Sequence, residues 1–376
     1  NPIDFFVQRK LKGESLTLAK EAGPYEFIRR ANYDLLGLPP GPDEIDAFVQ
    51  SWEKDPATAK MELIDRLLAD RAYGERWATH WLDVVRFSES DGYRADGFRP
   101  SAHLYRDYVV RSLNEDKPYD QFVREQLAGD EINPDDYDHM VATGFLRHGV
   151  YEWNQRNARM QWELILNEMT NVTGEVFLGL GMGCAQCHDH KFDPILQKDY
   201  YSLQSFLSSV WWPEDQKLGK ASDMAKLREW EKKTIQVRDE IRKMEDEVFQ
   251  GDIKNVVKQF PQDVKDMFYK KAEDRSTYEQ QLVELINRQV RDKRSKTKWD
   301  KKFEKDEELR SKYEKLKLEL ASLGNKPSLP QAFITTDLSD QPARTFIPGK
   351  KRKETFPAFL TLLGLPSPKV KPTQHG

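Results

Sequence analysis

Cysteine is the scarcest chemistry-bearing residue of this chain: two in 376 residues, and those two stand three positions apart. No second pair exists to complete a structural zinc site, which usually takes four ligands from two spaced pairs. Charge of one sign is not in excess either. The formal net charge is -4, so the basic face that a nucleic-acid binder needs is missing. Long apolar runs are missing too, since the longest, Val176 to Ala185, is too short to span a bilayer. Strand-like alternation is scarce, and the expected class is therefore mostly α.

What is present is a series of short amphipathic segments with polar, Pro-rich joints. "PGPDEIDAFVQSW" enters on proline with acids in its first turn and places Ile45, Phe48, Val49 and Trp52 at helical spacing. Met61, Ile64, Leu67 and Leu68 repeat the pattern, as do Trp77, His80, Trp81 and Val84, and then Leu203, Phe206, Leu207 and Val210. Residues 1–215 thus read as an irregular multi-helix domain. The length allows two or three structural units and a core able to enclose a cofactor.

Composition changes after this point, with 26 Lys and Arg and 23 Asp and Glu between residues 221 and 320. Within that block Val237, Ile241, Met244 and Val248, and later Leu309, Tyr313, Leu316, Leu320 and Leu323, step in threes and fours. Two short seams interrupted by Pro261 predict an antiparallel coiled-coil hairpin over 221–324, folded on itself. It reads as a solvated spacer or as an arm that docks a partner. If it is a spacer, residues 222–323 are removable. Residues 325–376 are Pro-rich and extended, with "QAFITTDL" and "ARTFIPG" as strands and His375 in a loose tail.

Both cysteines lie in "LGLGMGCAQCHDHKFDP", Leu178 to Pro194. With so few cysteines and histidines, Cys-x-x-Cys-His arises by chance in roughly one arrangement in 10,000. A covalent c-type haem explains it: Cys184 and Cys187, one turn apart, offer both sulfurs to the two vinyl groups of one porphyrin, and His188 follows as proximal iron ligand. Gly179, Gly181 and Gly183 let backbone approach a flat macrocycle, or else mark a tight turn. Two rivals stand beside this. Zinc would crowd its donors, His190 included, into seven residues, and a thioredoxin-like dithiol would follow a strand in a βαβ unit.

The far side of the iron has several candidates. His80 shares a stripe with Trp77 and Trp81, which makes it either a distal ligand or a core histidine with one hydrogen bond. His148 and Met182 are further candidates, while His103, His139 and His190 are poorly placed. Arg86, Arg106 and Arg147 suit haem propionates or plain salt bridges. The loop "SESDGYRADGFRP" gathers Glu89, Asp91, Asp96 and Arg99 for a calcium ion or a polar substrate, or is simply solvated; it lacks EF-hand spacing.

Six segments together resemble a known family. "NPIDFFVQRKL", "LLGLPPGPDEIDAF", "YGERWATHWLDVVRFSESDGY", "RPSAHLYRDYVVRSLNEDKPYDQFVREQLAGD", "ATGFLR" and "TGEVFLGLGMGCAQCHDHKFDPILQKDYYSL" are similar, in order, to segments of the planctomycete cytochrome-c-type domain family. The resemblance covers residues 1 to about 210. It implies one covalent haem c at Cys184, Cys187 and His188, and a periplasmic or otherwise exported setting, because thioethers to haem are made outside the cytoplasm. It brings no settled reaction. Chains of this kind often carry further domains, and the start on Asn1 rather than Met fits a longer product. The expected function is one-electron transfer to an unidentified redox partner protein. The alternatives are a haem c enzyme or electron-accepting module of an oxidoreductase, and a non-catalytic scaffold or metal-binding module.

Overall fold

The computed structural model of the chain describes every residue except 1, 94–95, 153–154, 215, 341, 350–351 and 370–376, so His375 lies outside the described residues. Among the described residues the protein is mostly helical, as expected, with fifteen α-helices and two small antiparallel sheets. Val210–Trp211 pairs with Thr336–Asp337, and Thr345–Ile347 with Lys353–Thr355. Thr336–Asp337 and Thr345–Ile347 fall inside the two segments predicted as strands, whereas Lys353–Thr355 lies beyond both. No described helix is long and apolar enough to cross a membrane.

Two compact units form, residues 1–81 with 109–117, and residues 82–108 with 118–376. In the first, the helices Pro24–Leu35, Pro42–Lys54 and Pro56–Leu68 each open on proline, whose fixed φ and missing N–H suit a helix's first position. Their core is Ile28, Phe48, Ala59, Leu63 and Leu67, flanked by Phe27, Ile45 and Trp52. The stripe of Pro56–Leu68 is displaced from the one predicted. Ala59, Leu63 and Leu67 step by four into the core, while Met61 and Leu68 are exposed. The next helix, Arg71–Val84, departs further: Gly74 and Ala78 are its buried residues, and Trp77, His80 and Val84 face solvent. Small residues make the close contact there, with the Gly74 amide donating to Asn114 Oδ1 at 2.8 Å. An apolar-stripe reading gives such residues little weight.

The second unit is built on the helix Ala158–Leu178, which buries Trp162, Ile165, Met169 and Val172. The long helix Ala221–Val257 and the helix Glu307–Ser322 run antiparallel, because Trp230 bonds Gly324, Glu245 bonds Tyr313 and Asp252 meets Lys302. All nine predicted seam residues join one cluster around Phe303. The chain between these helices packs on Ala221–Val257, where Arg294 pairs with Glu245, and also reaches beyond the hairpin. The helix Thr277–Ser295 packs on Ala158–Leu178 and buries Leu282, Val283 and Ile286, while Gln281 donates to the carbonyls of Ser208 and Val210 at 2.8 and 2.9 Å. Residues 221–324 are therefore no detached spacer, and the compact units follow these contacts rather than the change in composition at 215–221.

Candidate cysteine-turn site

The helix Ala158–Leu178 stops at Gly179, which has φ 64° and closes the end by donating to the Gly174 carbonyl. The chain then folds back so tightly that a Cβ on Gly174 would stand 2.7 Å from the Met182 sulfur. Met182, fully buried with Ala185, Ile195, Tyr200 and Tyr201, anchors the turn in the core. Its sulfur is packed on Gly174, which removes it as a candidate for the far side of an iron.

From this anchor runs the 3-10 turn Met182–Gln186, capped by the Cys187 amide donating to the Cys184 carbonyl at 3.4 Å. In 3-10 geometry residues three apart eclipse one another. Met182 and Ala185 therefore share the inward face, and Cys184 and Cys187 the outward one, where both thiols are exposed. The Gln186 carbonyl is held by the Tyr201 hydroxyl at 3.0 Å and the Gln197 amide at 3.1 Å. Burial pushes the Tyr201 phenol upward, helped by the neighbouring Cys187 and Glu163.

His188 is exposed, with Nδ1 2.7 Å from the Asp189 carbonyl. A carbonyl only accepts, so Nδ1 carries the proton and Nε2 keeps its lone pair, as in a metal-bound histidine. His190 has the opposite tautomer. Its Nδ1 accepts from the amides of Phe192 and Asp193 at 3.3 and 2.9 Å, so its work is to shape the loop. The Asp193 carboxylate, 3.3 Å from the same nitrogen, pairs with it only when the ring is protonated. Leu178 and Phe192, on either side of the turn in sequence, are 49% and 84% exposed. Two outward thiols, a histidine with Nε2 available and uncovered apolar side chains fit the attachment half of a haem c site. Among the described residues no cluster of three or more His, Cys, Asp or Glu is arranged to hold a bare metal ion.

The other candidates lie elsewhere. His80, in the first unit, is an exposed residue whose ring meets the edge of Trp77 at 5.5 Å, and it is not on a core face. Among the described residues the buried histidine is His148, 4% exposed, ringed by Phe87, Tyr105 and Phe333 with centroids 4.7 to 5.2 Å away. Both of its ring nitrogens lack a hydrogen-bond partner. Burial, then Arg99, Arg147 and Arg86, holds its pKa well below the usual range. The clue in the sequence was the small and apolar run "ATGFL" just before it. His103 bonds the Pro100 carbonyl at 3.0 Å and His139 lies 3.0 Å from Asp136. Arg86 pairs with Glu168, Arg106 with Asp107 and Glu89, and Arg147 with Glu214. The acidic loop is only partly solvated. Asp96 accepts from the Gly92 amide, and Asp91 and Arg99 are buried against each other at 2.7 Å.

Residues 2–211 match a family described as PSCyt2, protein of unknown function (DUF1549). No curated protein and no solved structure matches the chain.

Proposed function

The chain belongs to the PSCyt2 family, whose function is unknown, and from that premise we propose that it is an exported one-electron-transfer domain carrying a single haem c. The observation that supports this is the outward pairing of Cys184 and Cys187 beside a His188 whose Nδ1–H is committed to the Asp189 carbonyl. Cys184 and Cys187 would hold the group through thioethers, and His188 Nε2 would be its proximal ligand. Haem bound there supplies a ferric and ferrous couple. Met182, Tyr201 and Gln197 keep the turn rigid beneath it, so the thiols meet the vinyl groups without reordering the backbone. The exposure of the turn points to exchange with a partner protein that approaches this face.

Expression in an exporting, haem-maturing host, followed by haem staining after denaturation, tests the reading. Wild type should stain and Cys184→Ala/Cys187→Ala should not. Oxidised and reduced spectra with and without cyanide then separate the alternatives. A low-spin spectrum indifferent to cyanide fits electron transfer, a cyanide-induced shift fits a haem enzyme, and a wild type without haem leaves a scaffold or metal-binding module.

A further inference from the structure

The second unit also holds a cleft of about 580 Å3 whose walls include Asp91, Arg99, Arg147, Glu214, Arg288 and Arg291. Its charge is built in. The loop from Ser88 is strapped by a bridge between Ser90 and Phe98, and by Arg99 N–H donating to the Glu89 carbonyl at 2.7 Å. This turns Asp91 and Arg99 inward. Arg147 closes the 3-10 helix Thr143–Arg147, and Arg288 arrives from Thr277–Ser295 to lie 3.6 Å over the Tyr151 ring and 2.8 Å from Glu214.

Arg99, Arg147 and Arg288 are 6, 7 and 9% exposed, and among the described residues they pair with Asp91 and Glu214. Arg291, 3.8 Å from Glu214 and 3.2 Å from Glu284, and Lys296, 2.7 Å from Asp292, stand at the more open part of the cleft. A buried guanidinium N–H without an acceptor is costly. Arg99 Nη1 and Arg147 Nε are buried with no hydrogen-bond partner. Burial, reinforced by Arg288 and Arg99 against the pull of Glu214, brings Arg147 down to about 10. Phe333, 4.7 Å beneath Arg147 and 5.5 Å from Arg99, orients both forks.

We propose that this cleft binds an organic oxyanion, its carboxylate, sulfate or phosphate group seated on Arg99 and Arg147 and reached from the open side by Arg291 and Lys296. The planar fork of arginine suits all three groups. The volume exceeds what a free ion fills and lies in the range of small-molecule pockets, so the anion is one end of a larger molecule. Phe98, 73% exposed on the cleft wall, offers that molecule an apolar surface. None of this depends on what the cysteine turn holds.

Calorimetric titration and thermal melts of the full chain with inorganic sulfate, inorganic phosphate or citrate, against chloride at equal ionic strength, test the proposal. At least one oxyanion should bind with a stoichiometry of one and raise the melting temperature beyond chloride, and the one that does so names the class. Arg291→Gln/Lys296→Gln, which keeps the pairs of Arg99, Arg147 and Arg288 with Asp91 and Glu214, should weaken that binding about tenfold while the ligand-free melt changes little. Arg147→Lys, keeping the charge but losing the fork, should weaken it at least as much. Oxyanions that behave like chloride, or affinity unchanged in both variants, would overturn it.

Discussion

Replacing Gly174 and Met182 singly and together probes whether the cysteine turn is fixed by the contact between them. Met182 is fully buried, so Met182→Ala should cost about 2–5 kcal/mol through lost contacts and the hole left behind. Gly174→Ala gains about 1 kcal/mol of helix propensity. Its new Cβ, however, would lie 2.7 Å from the Met182 sulfur and 2.9 Å from Cγ, an overpacking that costs about 1–3 kcal/mol. The single change should come out neutral to about 2 kcal/mol destabilising. In the double variant the clash is gone and the alanine methyl occupies part of the vacated space, so the two effects should fall short of their sum by about 1–2 kcal/mol. Urea unfolding of the four proteins, read on the transition that Met182→Ala moves, gives this coupling. Additivity within about 0.5 kcal/mol would mean that the turn is held by something other than this contact.

The buried His148 makes stability depend on pH. Its native pKa lies well below 6.5, so below about pH 6.5 the unfolded chain takes up a proton that the folded ring refuses. Its contribution is complete above that pH and falls by up to about 1.4 kcal/mol per unit beneath it. In His148→Leu the drop in urea stability between pH 7 and 5 should shrink by about 2 kcal/mol; an equal drop in both proteins would show that the ring is solvated or paired. Excising residues 222–323 should now be destructive, because it removes Leu282 and Ile286, both fully buried, and the two Gln281 hydrogen bonds. A shortened chain that still melts cooperatively at the wild-type midpoint would contradict the packing of Thr277–Ser295.

The cysteine turn was legible because its chemistry is local: spacing, glycines and the adjacent histidine are all written within one short run. In the first unit the facing of Pro42–Lys54 was legible, with Ile45, Phe48 and Trp52 on the core, but that of the two helices after it was not. Gly74, Ala78 and Ala59 touch their neighbours through backbone and methyl, and such contacts carry no hydrophobic signal. His80 was misplaced by its large apolar neighbours, and His148 stood only among the further candidates because the arginine before it gives no sign of burial, although that arginine is itself buried. The seams of the charged block were readable as a period of three and four. That the helix Thr277–Ser295 also packs outside the hairpin was not, because Gln281 and Arg288 look like surface residues until their partners at 208, 210 and 91 are known.

The separation of those partners sets a timetable for the nascent chain. Arg288 reaches Asp91 across 197 positions, and Thr335 bonds Thr143 across 192. At a synthesis rate of about 5–20 residues per second, Asp91 waits on the order of 10–40 s for Arg288 to be made, and Arg147 about 7–30 s. Throughout that interval the half-built cleft exposes Phe333's future neighbours and unmatched charge to whatever binds incomplete chains. A ribosome stalled shortly before residue 288 would leave a product with most of its helices but without Arg288, and so without the closed cleft.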